Sequence, residues 1–364
     1  MTTDHPFSRR DFLKLAAAGL GILALRPARR VFALPEFPQS ETGLLGRVPF
    51  IGKVDLHAKP DVNSPVVGSI YEDALVPWLR EVNATAIDLN VRNQRWVETP
   101  NGYIWASNLQ PVRNIPNKPI SALPNNSANG FWGEVTVPYV DLILDNPPPR
   151  GPAVKWLMEN NVANRLYYSQ VMWIDQVKQG DDGRPMYRVN ERYGGYGDIF
   201  WADGAAFRIL TDEDVSPINP EVDPNEKTVK VNLTYQTLSC YESNKEVYFC
   251  RVSTGILEHS TPLGEHTTWR KLISVHMAGG TVASGYDTPG ISWTNLFVGA
   301  GVAIHSTFWH NDFGQERSHG CVNCAPDDAK WIWRWTQPEV PLEPGDVTVQ
   351  MPGGTHVIVE ERLV

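Results

Sequence analysis

The chain is poor in cysteine, short of basic residues and, past its first 33 positions, without a long apolar run. Each shortage excludes something. Four cysteines in 364 residues are too few for the disulfide framework of a small secreted scaffold, so their reactivity is the better question. Lys and Arg number 32 against 41 Asp and Glu, and six of the basic residues (Arg9, Arg10, Lys14, Arg26, Arg29, Arg30) stand before position 34. With only Asp4 and Asp11 among them, that segment carries +4 and leaves the remainder near −13, which argues against nucleic acid as a partner. Beyond the N-terminus no stretch reaches the roughly 18 apolar residues of a membrane span, and the mature chain is expected to be soluble. What is present is 42% hydrophobic and 20% charged, the composition of a globular protein, and the length suggests two or three domains.

Ser8-Arg9-Arg10-Asp11-Phe12-Leu13-Lys14, followed by the apolar run Leu15 to Leu25, resembles a twin-arginine export signal. The run is shorter than the roughly 20 residues of a transmembrane helix and reads as a signal core. Ala33 offers a small residue for cleavage, and no cysteine stands nearby for lipid attachment. The expectation is export to the periplasm or the outer face of the membrane, with membrane contact only through an uncleaved signal.

Two Pro- and Asn-rich passages, Asn114 to Asn129 and Ser216 to Lys227, divide the rest, because proline removes a donor and punctuates regular structure. The expected organisation is a signal at 1–33, a β domain at 34–119, a second, diverged barrel-like domain at 120–220 and a catalytic domain at 226–361. Gly102-Tyr103-Ile104-Trp105-Ala106 aligns with Gly197 to Ala202 with one extra residue before Trp201, which suggests a duplicated module. Tyr103, Trp105, Tyr193 and Trp201 are read as core before sugar-stacking surface.

From Thr228 onward Val229, Val231 and Leu233 alternate with polar residues, and Thr237 to Tyr241 and Val247 to Val252 flank a tight turn at Ser243-Asn244. Further strands are expected at 301–305, 346–350 and 356–360. A helix begins at Pro326, carries Asp327 and Asp328 at its positive end and stops before Pro338, with Trp331, Ile332 and Trp335 expected to face the sheet. The fold class is mainly β.

Ile304 to Cys324 gathers three of the nine histidines and two of the four cysteines. A thiolate nucleophile with its base, a zinc site and a redox pair all draw on such residues. Cysteine attacks as thiolate, and an ordinary pKa of about 8.5 leaves only a few per cent ionised near neutrality, so a base is needed. His305, at the end of an apolar strand, can be aimed rigidly, while Gly320 beside Cys321 lets backbone N–H groups approach an oxyanion.

Ile304-His305-Ser306, Gly314 and Ser318-His319-Gly320-Cys321-Val322-Asn323, preceded by Val252-Ser253-Thr254-Gly255 and Thr261-Pro262-Leu263-Gly264, resemble the signature of the YkuD-type L,D-transpeptidases over roughly Thr228 to Glu361. Gly102 to Val112 resembles the closing strands of a bacterial Src-homology-3-like module, a type that often binds cell-wall material. The resemblance implies a β-sandwich-like catalytic domain with one packed helix, preceded by one or two such barrels. It implies Cys321 as nucleophile, His305 as base and the Ser306 carbonyl orienting its ring. His319, Gly320 and Cys321 would supply oxyanion N–H groups, with Ser318 and Asn323 supporting the loop. The partners implied are peptidoglycan stem peptides, as donor and acceptor, with glycan or wall at the N-terminal modules. No cofactor and no metal are expected, and the protein is expected to be a monomer.

Cys324 departs from the family pattern, since an apolar residue is commoner there. It creates a C-x-x-C spacing that keeps zinc, with His305, His310 or His319, and a redox pair as alternatives; a buried small residue is the preferred reading. A Cys321–Cys324 disulfide under oxidation is a further expectation. Cys240 and Cys250 should sit offset across their hairpin, against a disulfide. Trp309 and His310 would order the loop or line a groove, and Met277 and Trp293 fall where similar enzymes have a lid. His259, His266 and His276 are expected to be structural, and His5, His57 and His356 ordinary surface or strand residues.

Overall fold

A computed structural model describes residues 33–87, 89, 91–124, 129–256, 260–280, 285–299 and 301–361. The twin-arginine segment, His5 and His259 lie outside the described residues. Among those described, no helix is long and apolar enough to cross a membrane.

The N-terminal part builds a five-stranded sheet from Val66–Tyr71, Lys53–His57, Gly102–Trp105, Arg95–Thr99 and Arg80–Asn83, in that order. A smaller sheet places Leu45–Arg47 between Leu75–Pro77 and Gln110–Val112. Val54, Leu56, Trp78, Val97, Ile104 and Leu109 fill the space between them. In the middle part a six-stranded sheet runs from Ile143–Leu144 through Ile199–Asp203, Pro185–Asn190, Val171–Gln179 and Phe131–Val135 to Phe207–Ile209. The two segments aligned in the sequence share a local plan: Gly102–Trp105 and Ile199–Asp203 each run into a one-turn 3-10 helix and then a short strand.

The C-terminal part has ten strands: β1 Lys227–Asn232, β2 Thr237–Glu242, β3 Lys245–Arg251, β4 Gly264–Thr267, β5 Arg270–Gly279, β6 Tyr286–Val298, β7 Val302–Ser306, β8 Val322–Cys324, β9 Asp346–Thr348 and β10 His356–Glu360. They form two five-stranded sheets, ordered β3-β2-β1-β10-β4 and β8-β7-β6-β5-β9. Helix α1, Pro326–Trp335, packs against β6 and β7. Its inward face is Ala329, Ile332, Trp333 and Trp335, whereas Trp331 stacks on Tyr248 at 3.9 Å between centroids and stays half-buried. The apolar stripe is therefore centred one residue-face away from the expected Trp331, which trades places with Trp333.

The parts are not beads on tethers. Trp132, Val171, Trp173, Leu210 and Val215 of the middle part join the C-terminal core, and the Trp132 indole N–H donates to Leu342 O at 2.9 Å. Leu34 and Phe37, expected in the first domain, pack with Ile120 and Leu123 into the middle core. Both Pro-rich passages are pinned: Ile120 N–H donates to the Tyr187 hydroxyl, and Ile218 N–H to Arg334 O. Proline spares donors that would otherwise need partners, so such passages can lie against a surface as readily as span a gap. The described residues from Leu34 onward accordingly form one compact unit.

Candidate active site

Two parallel strands set the site. β7 and β8 pair in the register Ile304 with Val322, His305 with Asn323 and Ser306 with Cys324, so Cys321 stands one step before β8, level with Ala303. His305 is buried, and its Nδ1–H donates to Ser306 O at 2.8 Å, which leaves Nε2 as the basic nitrogen. The Ser306 hydroxyl is in turn hydrogen-bonded to Ser292 Oγ on β6 at 2.6 Å. Burial pulls the His305 imidazole down to about 4, against the hydrogen bond to Ser306. Burial pushes the Cys321 thiol up to about 11, although the Ala303 N–H favours its thiolate. Near neutrality the pair thus rests as thiol and free imidazole, a base ready to take a proton rather than a preformed ion pair. Tyr286, at the start of β6, stands 5.4 Å from the His319 ring and close enough to Cys321 for a thiolate there to raise its own pKa, behind the larger effect of burial.

The turn into Cys321 is built from the short motifs. Gly320 has φ +113°, a conformation that residues with a side chain rarely adopt. Ser318 Oγ donates to Cys321 O at 2.5 Å and accepts from Gly320 N–H at 3.1 Å, so this N–H is already engaged. Ser253-Thr254-Gly255 runs alongside: Ser253 and Asn323 exchange backbone hydrogen bonds, and Arg317 and Ser318 N–H both donate to Thr254 O. Thr261 Oγ1 donates to Gly320 O at 2.8 Å and accepts from Gly255 N–H at 3.1 Å. Gln236 accepts from Thr254 N–H and donates to its hydroxyl. The two upstream motifs are therefore braces for the loop that presents the sulfur.

The other singled-out residues divide cleanly. His310 is half-buried and bridges Asp312 N–H, which donates to its Nδ1 at 3.2 Å, and the Asn323 side-chain amide at 3.0 Å from Nε2. Its pKa is pulled to about 3, first by burial and then by Arg317, so the neutral ring carries its proton on Nε2. That proton needs an acceptor, and the buried Asn323 Oδ1 otherwise has none; turning the amide so that Oδ1 faces the ring satisfies both. Trp309 lies 5.8 Å from the His305 ring. Trp293 is a core residue packed on Trp333 at 5.2 Å rather than part of a lid, while Met277 lies on β5 opposite Thr288. His276 bridges Glu191 and Asp287, His266 contacts Pro262 O at 3.0 Å, His57 contacts Ser64 O at 3.1 Å, and His356 faces Glu265.

The expected Cys321–Cys324 disulfide is not supported by this arrangement. Cys324 and Val322 point into the core, with the Cys324 thiol beside Cys250, whereas Asn323 faces His310 and the Cys321 sulfur lies by Gly301 O at 3.9 Å. Alternation along an extended strand puts positions 321 and 324 on opposite faces. Cys240 is opposite Tyr248 and Cys250 opposite Leu238, and all four cysteines are free. Among the described residues no group of three or more His, Cys, Asp or Glu is arranged to hold a metal ion.

Sequence reasoning missed the residues that reach the loop from far away. Arg47 donates to Phe308 O at 3.0 Å, Asn311 Nδ2 to Ala106 O at 3.1 Å, and Ser107 Oγ to Asp312 Oδ1 at 2.6 Å. Nothing local in the sequence marks Ser107 or Arg47. Asp312, an acidic residue between Asn311 and Phe313, carries no motif of its own either.

Residues 226–359 match the YkuD family, the L,D-transpeptidase catalytic domain, so the segment that holds His305 and Cys321 is a domain of that kind. No curated protein matches the chain. Solved structures with some likeness include an L,D-transpeptidase from Mycobacterium smegmatis, at 18% identity and TM-score 0.32 over 48% of this chain and 90% of that one. Another is an L,D-transpeptidase from Mycobacterium tuberculosis H37Rv, at 17% identity and TM-score 0.29 over 67% and 98%. A mutant Enterococcus faecium L,D-transpeptidase shows 21% identity and TM-score 0.31 over 37% of this chain, and the match spans only 50% of that protein's length. Overlaps this low leave the chemistry to be argued from the residues themselves.

Proposed function

We propose that the protein is a peptidoglycan L,D-transpeptidase that works through a cysteine thioester. The observation that carries this reading is the tautomer lock: Ser306 O holds the Nδ1–H of a buried, neutral His305 on the strand paired with the one that Cys321 leads. The Cys321 sulfur attacks the carbonyl of the L-centre in a donor tetrapeptide while its proton passes to His305 Nε2. Backbone N–H groups at His319 and Cys321 take the developing oxyanion, and Gly320 joins them once Ser318 releases its N–H. Collapse breaks the C–N bond, His305 returns the proton to the leaving amine, and D-alanine departs. The thioester is then resolved by the amine of a second stem peptide, deprotonated by the same imidazole, to give the crosslink and the free thiol. The twin-arginine segment would deliver the folded protein across the membrane, and the N-terminal modules would hold it at the wall.

The test is product analysis by mass spectrometry after incubation of the full chain with a disaccharide tetrapeptide, beside Cys321→Ala. Crosslinked dimers that require Cys321 are expected. Loss of alanine alone would make the protein an L,D-carboxypeptidase with water as acceptor, and no conversion by either form would reduce it to a binding protein.

A further inference from the structure

The loop from Thr307 to Gly320 is gripped by the first N-terminal part of the molecule at the point where one buried carboxylate organises it. Asp312 is 2% exposed. Its Oδ1 accepts from Ser107 Oγ at 2.6 Å, its Oδ2 accepts from Arg317 Nε at 2.6 Å, and its carbonyl accepts from Ser253 Oγ at 3.0 Å. Ser107 is itself fixed, since its oxygen accepts from Asn93 Nδ2 at 3.0 Å in the turn Ala106–Asn108. On the far side, Asp312 N–H donates to His310 Nδ1, and His310 Nε2 meets the Asn323 side chain. Asn323 is the ladder partner of His305 and stands two residues after Cys321.

We infer that Ser107 and Asp312 are positioning residues for the Cys321–His305 pair, so that the first N-terminal module is a working part of the catalytic apparatus and not only a wall anchor. The inference rests on reading Cys321 and His305 as nucleophile and base. A buried carboxylate must keep its donors, because removing one leaves charge without compensation. Loss of the Ser107 hydroxyl frees Asp312 to swing toward Arg317, which is half exposed, and carries the N–H that fixes His310 with it. The His310 contact is the side-chain support of Asn323, so the start of β8 shifts relative to β7. Reacting groups tolerate little displacement, and Ser107 and Asp312 are both buried, so the effect falls on turnover before binding.

The experiment uses the full chain as wild type, Ser107→Ala, Ser107→Thr, Asp312→Asn and the Ser107→Ala/Asp312→Asn double variant. Three quantities are read: kcat and KM on disaccharide tetrapeptide, the pH profile of Cys321 alkylation by iodoacetamide, and the thermal midpoint. For Ser107→Ala, kcat should fall about tenfold with KM held within about twofold, the alkylation profile should move, and Ser107→Thr should recover both. The double variant should be no worse than the poorer single one, since both cut the same connection. Wild-type kcat and alkylation in Ser107→Ala, with or without a lower thermal midpoint, would overturn the inference. Should Asp312→Asn fail to fold, Ser107→Ala and Ser107→Thr decide alone. A wild type that alkylates normally but never converts the tetrapeptide defeats the functional reading instead, and the alkylation profiles still judge the positioning role.

Discussion

The resting state of the candidate pair can be tested without any substrate. A thiol at about 11 and, on the neighbouring strand, an imidazole at about 4 are separated from their ion pair by about seven pK units, or about 10 kcal/mol. A close ion-pair attraction at effective dielectric 20 returns only about 4 kcal/mol, so the neutral form wins. At pH 7 the thiolate fraction is then about one in ten thousand, roughly 300-fold below that of an ordinary cysteine. Alkylation of the folded protein by iodoacetamide, followed by intact mass and peptide mapping from pH 5 to 10, should label one cysteine, Cys321. Its rate should climb about tenfold per pH unit with no neutral plateau. Cys240, Cys250 and Cys324, all buried, should label only after unfolding. A plateau that begins below pH 7 would reveal a preformed thiolate–imidazolium pair and refute the reasoning from burial.

Three further outcomes follow from particular contacts. Lys271 is buried and its Nζ donates to Trp333 O and Thr336 O at 2.6 Å each, closing the C-terminal end of α1; Lys271→Met should cost about 2 kcal/mol and lower the thermal midpoint by about 3 °C, and an unchanged midpoint would dismiss the cap. Burial lowers the pKa of His276, but Glu191 and Asp287 outweigh it and the net shift is upward. Its contribution is therefore fully present below the unfolded value of about 6.5 and is lost as pH rises through the folded pKa, so the stability gap between wild type and His276→Gln in urea should narrow with rising pH. A gap that widens with pH would reverse the assignment. Peroxide should inactivate Cys324→Ala as fast as wild type, because the Cys324 sulfur lies in the core; protection by the substitution would contradict that placement.

Much of the site was legible because its parts are short and local. A strand ending in His305-Ser306 and a tight turn Ser318-His319-Gly320-Cys321 mark a candidate base and a candidate nucleophile, and Ser253-Thr254-Gly255 proves to brace that turn. Period-two alternation located β1, and Pro326 with two acidic residues located the start of α1. The long hairpin of β5 and β6 was not legible, because Lys271, Ser274, Ser292, Thr294 and Asn295 are all buried within it and erase the alternation. Lys271, Ser274, Ser292 and Asn295 find partners far along the chain, as Ser274 Oγ does in Val171 O at 2.5 Å, while Thr294 Oγ1 donates back to Ile291 O. The exchange of Trp331 for Trp333 has a similar cause: in a run of alternating tryptophans the helical stripe can be drawn through either, and Tyr248 decides it. Ser107 and Arg47 belong to the same class, since only tertiary structure brings positions 107 and 312 together.

The covalent step is open to direct observation. The full chain is mixed with disaccharide tetrapeptide in the absence of acceptor, quenched in acid and measured by intact mass and peptide mapping. A mass gain equal to the donor less one alanine, mapped to Cys321 and missing from Cys321→Ala, is the predicted result. An adduct on any other residue, or crosslinking by Cys321→Ala at the wild-type rate, would contradict it.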